Sequence, residues 1–274
     1  MSAANGQQQS VLRFENVSLA FDETIALDRV SFEQKAGETR VVLGSAGSGK
    51  TALLKTAIGL LKPDSGRVWL LGEEITSRSE HDLFSLRSRV GVLFQEGGLF
   101  DSLTVAENVA YPLENQQTGA SVAPEEVERR VVDALSFVEL EHTLDKFPGE
   151  LSGGMRRRVG IARASVTEPP LVLYDSPTAG LDPITANTIV ALIAKERDVR
   201  DTANLMVTHR YQDGEIMANF RYNPESGHLV HVASGSNGLS TTFMVMEEGR
   251  LVFEGSQKEL EESNNPYVTR FVRH

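Results

Sequence analysis

The sequence predicts an α/β fold, in which a mainly parallel sheet carries an antiparallel β subdomain and an inserted α-helical subdomain. A glycine-rich loop begins at Gly44, between an apolar strand and an amphipathic helix. A second apolar strand, at 171–175, ends on a carboxylate. Between these two segments, residues of about 96–167 show helical periodicity rather than alternation, which predicts helices inserted into the core.

The glycine-rich loop fits the phosphate-binding pattern G-x-x-x-x-G-K-[ST]. Its residues are Gly44, Ser45, Ala46, Gly47, Ser48, Gly49, Lys50 and Thr51. Glycines let successive backbone N–H groups turn toward one point, and the N-terminus of the following helix adds partial positive charge there. We therefore expect the loop to bind phosphates, with Lys50 reaching the β- and γ-phosphates and the Thr51 hydroxyl binding Mg²⁺.

The composition limits the possible classes of protein. The chain has 274 residues, of which 40% are hydrophobic and 24% charged, as in a soluble globular protein with a large core. Its net charge is −11 and no block of lysine and arginine stands out, so nucleic acid is not an expected partner. The absence of cysteine excludes disulfides and thiol chemistry. Residues 1–10 read as a disordered polar tail without a secretory signal, and a cytoplasmic location is expected.

The region before the loop predicts an antiparallel edge sheet, with strands at 11–17 and 25–32. Phe21 lies in the polar turn between them. An aromatic ring at this place can stack on an adenine base. The alternative, which spacing alone favours, is a half-buried side chain on an edge strand.

Beyond the loop, strands are expected at 68–71 and 90–95, with a short helix at 81–89 between them. Gln95 closes the second strand, where its amide can bind a metal ion or a metal-bound water. The helical subdomain follows, with helices at 103–113 and 125–139.

Ser152, Gly153 and Gly154 directly precede an amphipathic helix that carries several arginines. A helix N-terminus with two glycines can bind a second anion. The alternative is an ordinary loop followed by solvated arginine side chains.

Two further strands end on polar side chains that suit phosphate chemistry. Asp175 closes the strand at 171–175, where a carboxylate beside a phosphate loop can hold Mg²⁺ directly or through water. His209 closes the strand at 204–209 and can hydrogen-bond a γ-phosphate or an attacking water, although a lone histidine is more often structural.

The last part of the chain combines turn signals with short strands. Residues of about 221–242 predict an extra hairpin, and a second hairpin is expected at 243–246 and 251–254. A helix is expected at 257–263, and residues 264–274 form an ending that can pack on a partner.

Taken together, these motifs resemble the ATP-binding subunit of ATP-binding cassette (ABC) transporters, whose core is a RecA-like P-loop NTPase domain. The resemblance covers residues 11–265 as one nucleotide-binding domain, followed by a C-terminal extension at 266–274. It assigns the residues named above to the motifs of the family: Phe21 to adenine stacking, 44–51 to Walker A, Gln95 to the Q-loop, 151–155 to the signature motif, Asp175 to Walker B, 181–182 to the D-loop and His209 to the switch histidine.

This resemblance implies a head-to-tail homodimer that binds ATP and Mg²⁺. Each ATP would lie between the Walker A loop of one subunit and Ser152, Gly153 and Gly154 of the other. Closing and opening of the dimer would drive a transmembrane permease, which places the chain peripherally on the inner face of the bacterial plasma membrane.

A narrower resemblance points to the Mla/MCE-type ATPases, which move phospholipids between bacterial membranes. It is carried by the stretches 95–105 and 182–185, by Met155 with its neighbouring arginines, and by the ending 265–271. It implies docking of the permease on the segment after Gln95, a C-terminus that helps to hold the dimer, and a periplasmic MCE-type lipid-binding subunit as a further partner.

One departure from the family concerns catalysis. The family has a glutamate directly after the Walker B aspartate, whereas here Asp175 is followed by Ser176. A hydroxyl cannot act as a carboxylate base, and loss of a positioned general base costs about 10²–10⁴-fold in rate. Either His209 and Gln95 position the water, or hydrolysis is slow, or the chain binds ATP as a gated clamp. Gly180 in the D-loop also departs from the usual Ser-Ala-Leu-Asp pattern.

Three functions are therefore compared: a transport ATPase, a nucleotide-binding scaffold with negligible turnover, and a soluble cassette ATPase of DNA repair or translation. The last predicts a fused second cassette or a basic surface, and the sequence has neither.

Overall fold

The structure is a computed structural model that describes residues 9–115, 122–232 and 241–272. Its strands are β1 (Ser10–Phe21), β2 (Thr24–Lys35), β3 (Thr39–Gly44), β4 (Ser65–Leu70), β5 (Glu73–Glu74), β6 (Val90–Leu93), β7 (Leu171–Asp175), β8 (Ala203–Thr208), β9 (Phe220–Asn223), β10 (His228–His231), β11 (Thr241–Glu247) and β12 (Arg250–Gly255). Its α-helices are α1 (Lys50–Ala57), α2 (Glu80–Arg87), α3 (Val105–Glu114), α4 (Pro124–Phe137), α5 (Gly153–Ser165), α6 (Pro183–Arg200), α7 (Tyr211–Asn219), α8 (Gln257–Glu261) and α9 (Pro266–Val272).

The central sheet has the strand order β12-β11-β3-β8-β7-β6, and its pairs are parallel except for the β11–β12 hairpin. Strands β3, β7 and β8 are buried along their whole length, as their continuous apolar runs predict. Because parallel strands share one carboxyl edge, the residues that follow β3, β6, β7 and β8 meet at that edge.

A second sheet, in the order β2-β1-β4-β5, is antiparallel throughout and packs its apolar face on α1 and the central sheet. It is the expected edge sheet, but β1 is longer than predicted. Gln9 accepts a hydrogen bond from the Ala36 amide, and Ser10 already pairs with Lys35. The tail expected at 1–10 is therefore ordered at its last two residues, and 1–8 lie outside the described residues.

The expected helical subdomain contains α3, α4 and α5, which share a core of valine, leucine and alanine side chains. The capping box that begins α3, Thr104 with Glu107, and Pro124 in the first turn of α4 fix where these helices start. The predicted α/β fold of the P-loop class, with its antiparallel and helical subdomains, is thus confirmed.

Two helices near the C-terminus were not predicted as such. Helix α7 follows β8 directly, and α9 folds back on its own chain, where Val268 is buried with Tyr211, Phe243 and Leu260. Part of the expected extra hairpin at 221–242 is present as β9 and β10, and 233–240 lie outside the described residues. Across the described ranges, we find no helix with the length and apolar character needed to span a bilayer.

Candidate functional site

The glycine-rich loop joins β3 to α1 at the carboxyl edge of the central sheet. Gly47 and Gly49 have φ values of +79° and +102°, in the left-handed region that favours glycine. A Cβ atom on Gly49 would lie 2.2 Å from the carbonyl oxygen of Ala26 in β2. The loop can therefore take this path only with glycine at position 49.

The loop turns its side chains in two directions. Ser48 is buried, whereas Ser45, Ala46 and Thr51 are exposed. Thr51 is thus accessible at the start of α1, and its binding of a metal ion stays a prediction.

Lys50 folds over the loop that carries it. Its Nζ donates to the carbonyl oxygens of Gly44 and Ser45, both at 2.8 Å, and to Ser48 Oγ at 3.3 Å. Burial lowers the pKa of Lys50, and the Asp175 carboxylate opposes that shift. The ammonium group is thus held at the concave side of the loop, with a carboxylate close enough to act on it electrostatically.

Asp175 ends β7 and is 6% exposed. The hydroxyl of Ser176 donates to Asp175 Oδ1 at 3.1 Å, and the Ser176 amide donates to Val207 in β8 at 2.9 Å. Ser176 has φ +49°, an uncommon conformation for a residue with a side chain. The position where the family has glutamate is therefore occupied by a hydroxyl bonded to its neighbouring carboxylate.

Gln95 and His209 both follow parallel strands at this edge and are exposed. Gln95 lies two residues after β6, in a short 3₁₀ helix (Gln95–Gly97), so the strand expected at 90–95 ends earlier than predicted. His209 lies one residue after β8 rather than within it. Each side chain therefore follows its strand at the carboxyl edge of the sheet, Gln95 in the 3₁₀ helix and His209 directly after β8.

Phe21 is the last residue of β1 rather than part of the turn, and 47% of it is exposed. The β1–β2 hairpin approaches the phosphate loop, since Ala26 contacts Gly49. A ring at the end of β1 has the accessible face that stacking requires, and its role in binding adenine stays a prediction.

The second predicted anion site is the N-terminus of α5. Ser152 caps this 13-residue helix and its Oγ accepts from the Met155 amide at 3.2 Å. A Cβ on Gly154 would lie 2.7 Å from Thr185 Cγ2 in α6. Gly153 and Gly154 thus pack beside the D-loop and α6 of their own chain, not against the phosphate loop.

A buried arginine links the α5 helix to the D-loop. Arg157 is 4% exposed and donates to the carbonyl oxygen of Ala179. Burial lowers its pKa, and Glu96 beside Gln95 opposes that shift. In the sequence Arg157 is one of several arginines in this helix, and no pattern distinguishes it from its neighbours.

A buried carboxylate in α7 was also missed. Asp213 is completely buried and accepts hydrogen bonds from Thr178 at 2.6 Å and Thr208 at 2.7 Å. These two threonines follow Asp175 and precede His209, so Asp213 joins two of the predicted site segments. No sequence motif for it was recognised, because α7 itself was not predicted.

The donor set suits a magnesium-bound triphosphate. The loop offers backbone N–H groups and an ammonium group for phosphates, while Thr51, Gln95 and Asp175 offer oxygen ligands. Among the residues that the structure describes, no group of three or more His, Asp or Glu forms a metal site. Hydroxyl, amide and carboxylate oxygens are donors that Mg²⁺ accepts, with phosphate and water completing its shell.

The fold and this loop define a nucleotide-binding domain of the α/β phosphate-loop class. A family model described as ABC transporter matches residues 27–179, more than half of the chain. The chain therefore belongs to the ABC transporter family, as its ATP-binding cassette.

Individual relatives differ in the cargo that their names state. A methionine import ATP-binding protein of Carboxydothermus hydrogenoformans is 41% identical over 67% of this chain and 53% of its own length. The chain thus spans about half the length of that relative. The intermembrane phospholipid transport ATP-binding protein of Haemophilus influenzae is 28% identical over 97% of this chain and 91% of its own length.

A solved structure supports the same assignment. A dimeric ATP-binding cassette in a post-hydrolysis state, bound to ADP and phosphate, matches with TM-score 0.75 and 28% identity. The match covers 89% of this chain and 98% of that one.

Proposed function

We propose that the chain is the ATP-binding subunit of an ABC transporter and works as a head-to-tail homodimer on the inner face of a bacterial plasma membrane. The observation that carries this proposal is that one chain has two helix N-termini suited to an anion: the Gly44–Thr51 loop before α1 and the Ser152 cap of α5. They belong to different subdomains and do not contact each other in the described residues. A second copy, turned head to tail, can bring one of each to the same triphosphate.

In such a site each side chain has a distinct task. The loop amides and Lys50 bind the phosphates, which replace the carbonyl groups that Lys50 contacts now. Thr51, Gln95 and Asp175 would hold Mg²⁺, which would supply positive charge that neutralises the phosphates. His209, exposed after β8, would hydrogen-bond the terminal phosphate, and Phe21 would stack on the base.

The segment after Gln95, where the resemblance places the permease, leads into α3, and the docking surface we propose is the exposed groove between α3 and α4. Its floor is apolar and includes Ala110, Leu113, Val127 and Val131. Its rim carries four exposed carboxylates, Glu107, Glu114, Glu128 and Asp145. Charge complementarity therefore favours a basic amphipathic cytoplasmic segment of the permease as the occupant.

We propose phospholipid as the cargo, with an MCE-type lipid-binding subunit as a further partner. The support is the match along nearly the whole chain to the phospholipid transport relative, together with the stretches at 95–105, 182–185 and 265–271. Reconstitution with the permease in vesicles tests it: fluorescent phospholipid should leave the donor membrane in an ATP-dependent way. Transport of methionine instead would contradict the assignment.

Ser176 favours a second candidate function, an ATP-gated clamp with little turnover. Its hydroxyl is bonded to Asp175 and has no basic character near neutral pH. On this alternative, ATP joins the two copies and its loss releases them, while hydrolysis is slow.

A steady-state ATPase assay separates the two candidates. Wild type, Ser176→Glu and Lys50→Ala are compared with the permease present. Wild-type turnover above the Lys50→Ala background supports the ATPase. Turnover that appears only in Ser176→Glu supports the clamp, and absence of ATP binding in all three would contradict both.

A further inference from the structure

The completely buried Asp213 bonds two loops of the site with one oxygen atom. Its Oδ2 accepts from Thr178 Oγ1 at 2.6 Å and from Thr208 Oγ1 at 2.7 Å. Two hydroxyl donors converging on one carboxylate oxygen form strong, charge-assisted bonds. The two threonines lie 30 positions apart in sequence and are brought together by this contact.

Each threonine is close in sequence to a position that bears on hydrolysis in the proposed function, either residue 176 or His209. Thr178 lies two positions after Ser176 in the turn that follows β7. Thr208 ends β8 directly before His209, and its Oγ1 also accepts from the Arg210 amide at 3.1 Å. Thr208 and Arg210 flank His209 in sequence, and the Thr208 hydroxyl is bonded to the Arg210 backbone, so this contact constrains the chain on both sides of His209.

The other oxygen of Asp213 is poorly compensated. Oδ1 has no hydrogen bond in the described residues, and the nearest charge is Arg210 Nη1 at 3.7 Å. Burial raises the pKa of Asp213, and the two threonine bonds oppose that shift. A buried carboxylate with an unbonded oxygen costs folding free energy. An apolar side chain at position 213 would therefore pack α7 at a lower cost in folding free energy.

We propose that Asp213 is a positioning residue for ATP hydrolysis, which fixes the position of His209 relative to residue 176 through the hydroxyls of Thr178 and Thr208. The inference rests on the proposed function and adds a residue to it. Asp213 does not touch the nucleotide. It acts through two loops that must keep their separation while a water molecule is held between them.

The expected effect of losing this bridge is a fall in kcat at unchanged KM. No hydrogen bond joins Asp213 to the phosphate loop in the described residues, so we expect ATP binding to be preserved, whereas displacement of catalytic groups by about 1 Å costs up to about 10²-fold in rate. We expect Asp213→Ala and Thr178→Val to lower kcat by about 10- to 100-fold, with KM for ATP within about 2-fold of the parent. Asp213→Asn keeps one acceptor oxygen and should retain most of the activity.

The parent for these measurements is Ser176→Glu, alongside wild type, so that turnover is measurable if the serine makes it slow. Thr202→Val is the matched control, because Thr202 is also buried, lies just before β8, and has an Oγ1 without a hydrogen bond in the described residues. It should leave kcat unchanged. If Asp213 acts through Thr178, the double variant Thr178→Val with Asp213→Ala should be no slower than Asp213→Ala alone.

Several results would overturn the inference. One is an Asp213→Ala or Thr178→Val variant that matches Thr202→Val in kcat, and another is a kcat loss accompanied by an equal loss of ATP affinity. If Asp213→Ala fails to fold, Thr178→Val decides the matter by the same criteria. If Ser176→Glu itself neither binds nor hydrolyses ATP, the proposed function has failed and this inference fails with it.

Discussion

The hydroxyl of Tyr267, in the last helix of the chain, lies 3.0 Å from the hydroxyl of Ser45 in the phosphate loop. The same Tyr267 oxygen accepts from the Ser45 amide at 3.2 Å and donates to Met246 in β11 at 3.1 Å. Helix α9 is therefore fastened to the loop on which nucleotide binding depends.

Removing this hydroxyl should loosen both α9 and the loop. We expect Tyr267→Phe to lower the free energy of unfolding by about 1 kcal/mol, since it deletes hydrogen bonds and leaves the Ser45 amide without a protein partner. Urea denaturation measures the change. Tyr222→Phe is the control, because the Tyr222 hydroxyl makes no hydrogen bond within the described ranges. Equal midpoints for the two variants would show that the Tyr267 contact does not stabilise the fold.

Glycine at position 49 should be irreplaceable. In Gly49→Ala the new methyl group meets the Ala26 carbonyl at 2.2 Å, and the backbone must hold φ +102°. Strain and overpacking together should cost about 2–6 kcal/mol, and ATP binding should be lost.

Gly227→Ala serves as the comparison, with φ +71° but no atom within 4 Å of the new Cβ. It should cost only about 1 kcal/mol from backbone strain. Thermal unfolding with and without MgATP measures both variants. A Gly49→Ala protein as stable as Gly227→Ala would contradict the described path of the loop.

A buried carboxylate on α6 should make stability depend on pH. Glu196 is completely buried, and burial raises its pKa to about 7, partly opposed by Arg200 at 3.3 Å. Between about pH 4.5 and about pH 7, the Glu196 carboxyl therefore keeps its proton in the folded chain and loses it in the unfolded chain. Stability falls as the pH rises from about 4.5 to about 7, and the deficit of about 3 kcal/mol then stays constant.

Glu196→Gln removes this titration. The variant should match wild type near pH 4.5 and be more stable by up to about 3 kcal/mol at pH 8, as denaturant midpoints across that range would show. Glu262→Gln, which replaces an exposed carboxylate 3.9 Å from Lys258 and far from α6 in sequence, is the control and should not change the pH dependence. Parallel pH curves for Glu196→Gln and wild type would contradict the prediction.

Lys195 on α6 contacts both the helical subdomain and the extra hairpin. Lys195 Nζ lies 4.1 Å from the centre of the Phe137 ring at the end of α4 and 5.4 Å from that of Tyr222 in β9. It also donates to the Phe137 carbonyl at 3.2 Å. We expect Lys195→Met to destabilise the fold by about 1–2 kcal/mol, mainly through lost cation–π contacts. Lys55→Met, at an exposed position of α1, should have no such effect in the same denaturation experiment.

The strands and motifs of this fold were predictable because their signals are local. Uniform burial of β3, β7 and β8 follows from short apolar runs, and the loop at 44–51 is defined by spacing alone. The predicted side chains Asp175, Gln95 and His209 meet at one edge because parallel strands place them there. Predicting that these three residues share one edge therefore requires only the fold class.

Helix α7 was missed for a physical reason. Gly214 lies in its middle, where a Cβ would come within 2.5 Å of the Phe243 ring. The glycine permits close packing on the sheet and weakens the helical signal that a sequence pattern would show. The Asp213 bridge and the Tyr267 contact depend on such packing between distant segments. Hydrophobic periodicity along the sequence carries no information about it.

The attachment of α9 to the phosphate loop has a practical consequence for handling the protein. Any bulky group attached on or next to α9, such as an affinity tag or a fluorescent label, would lie close to a helix whose Tyr267 touches Ser45. Such groups are best attached elsewhere, and nucleotide affinities measured with them in place should be repeated after their removal.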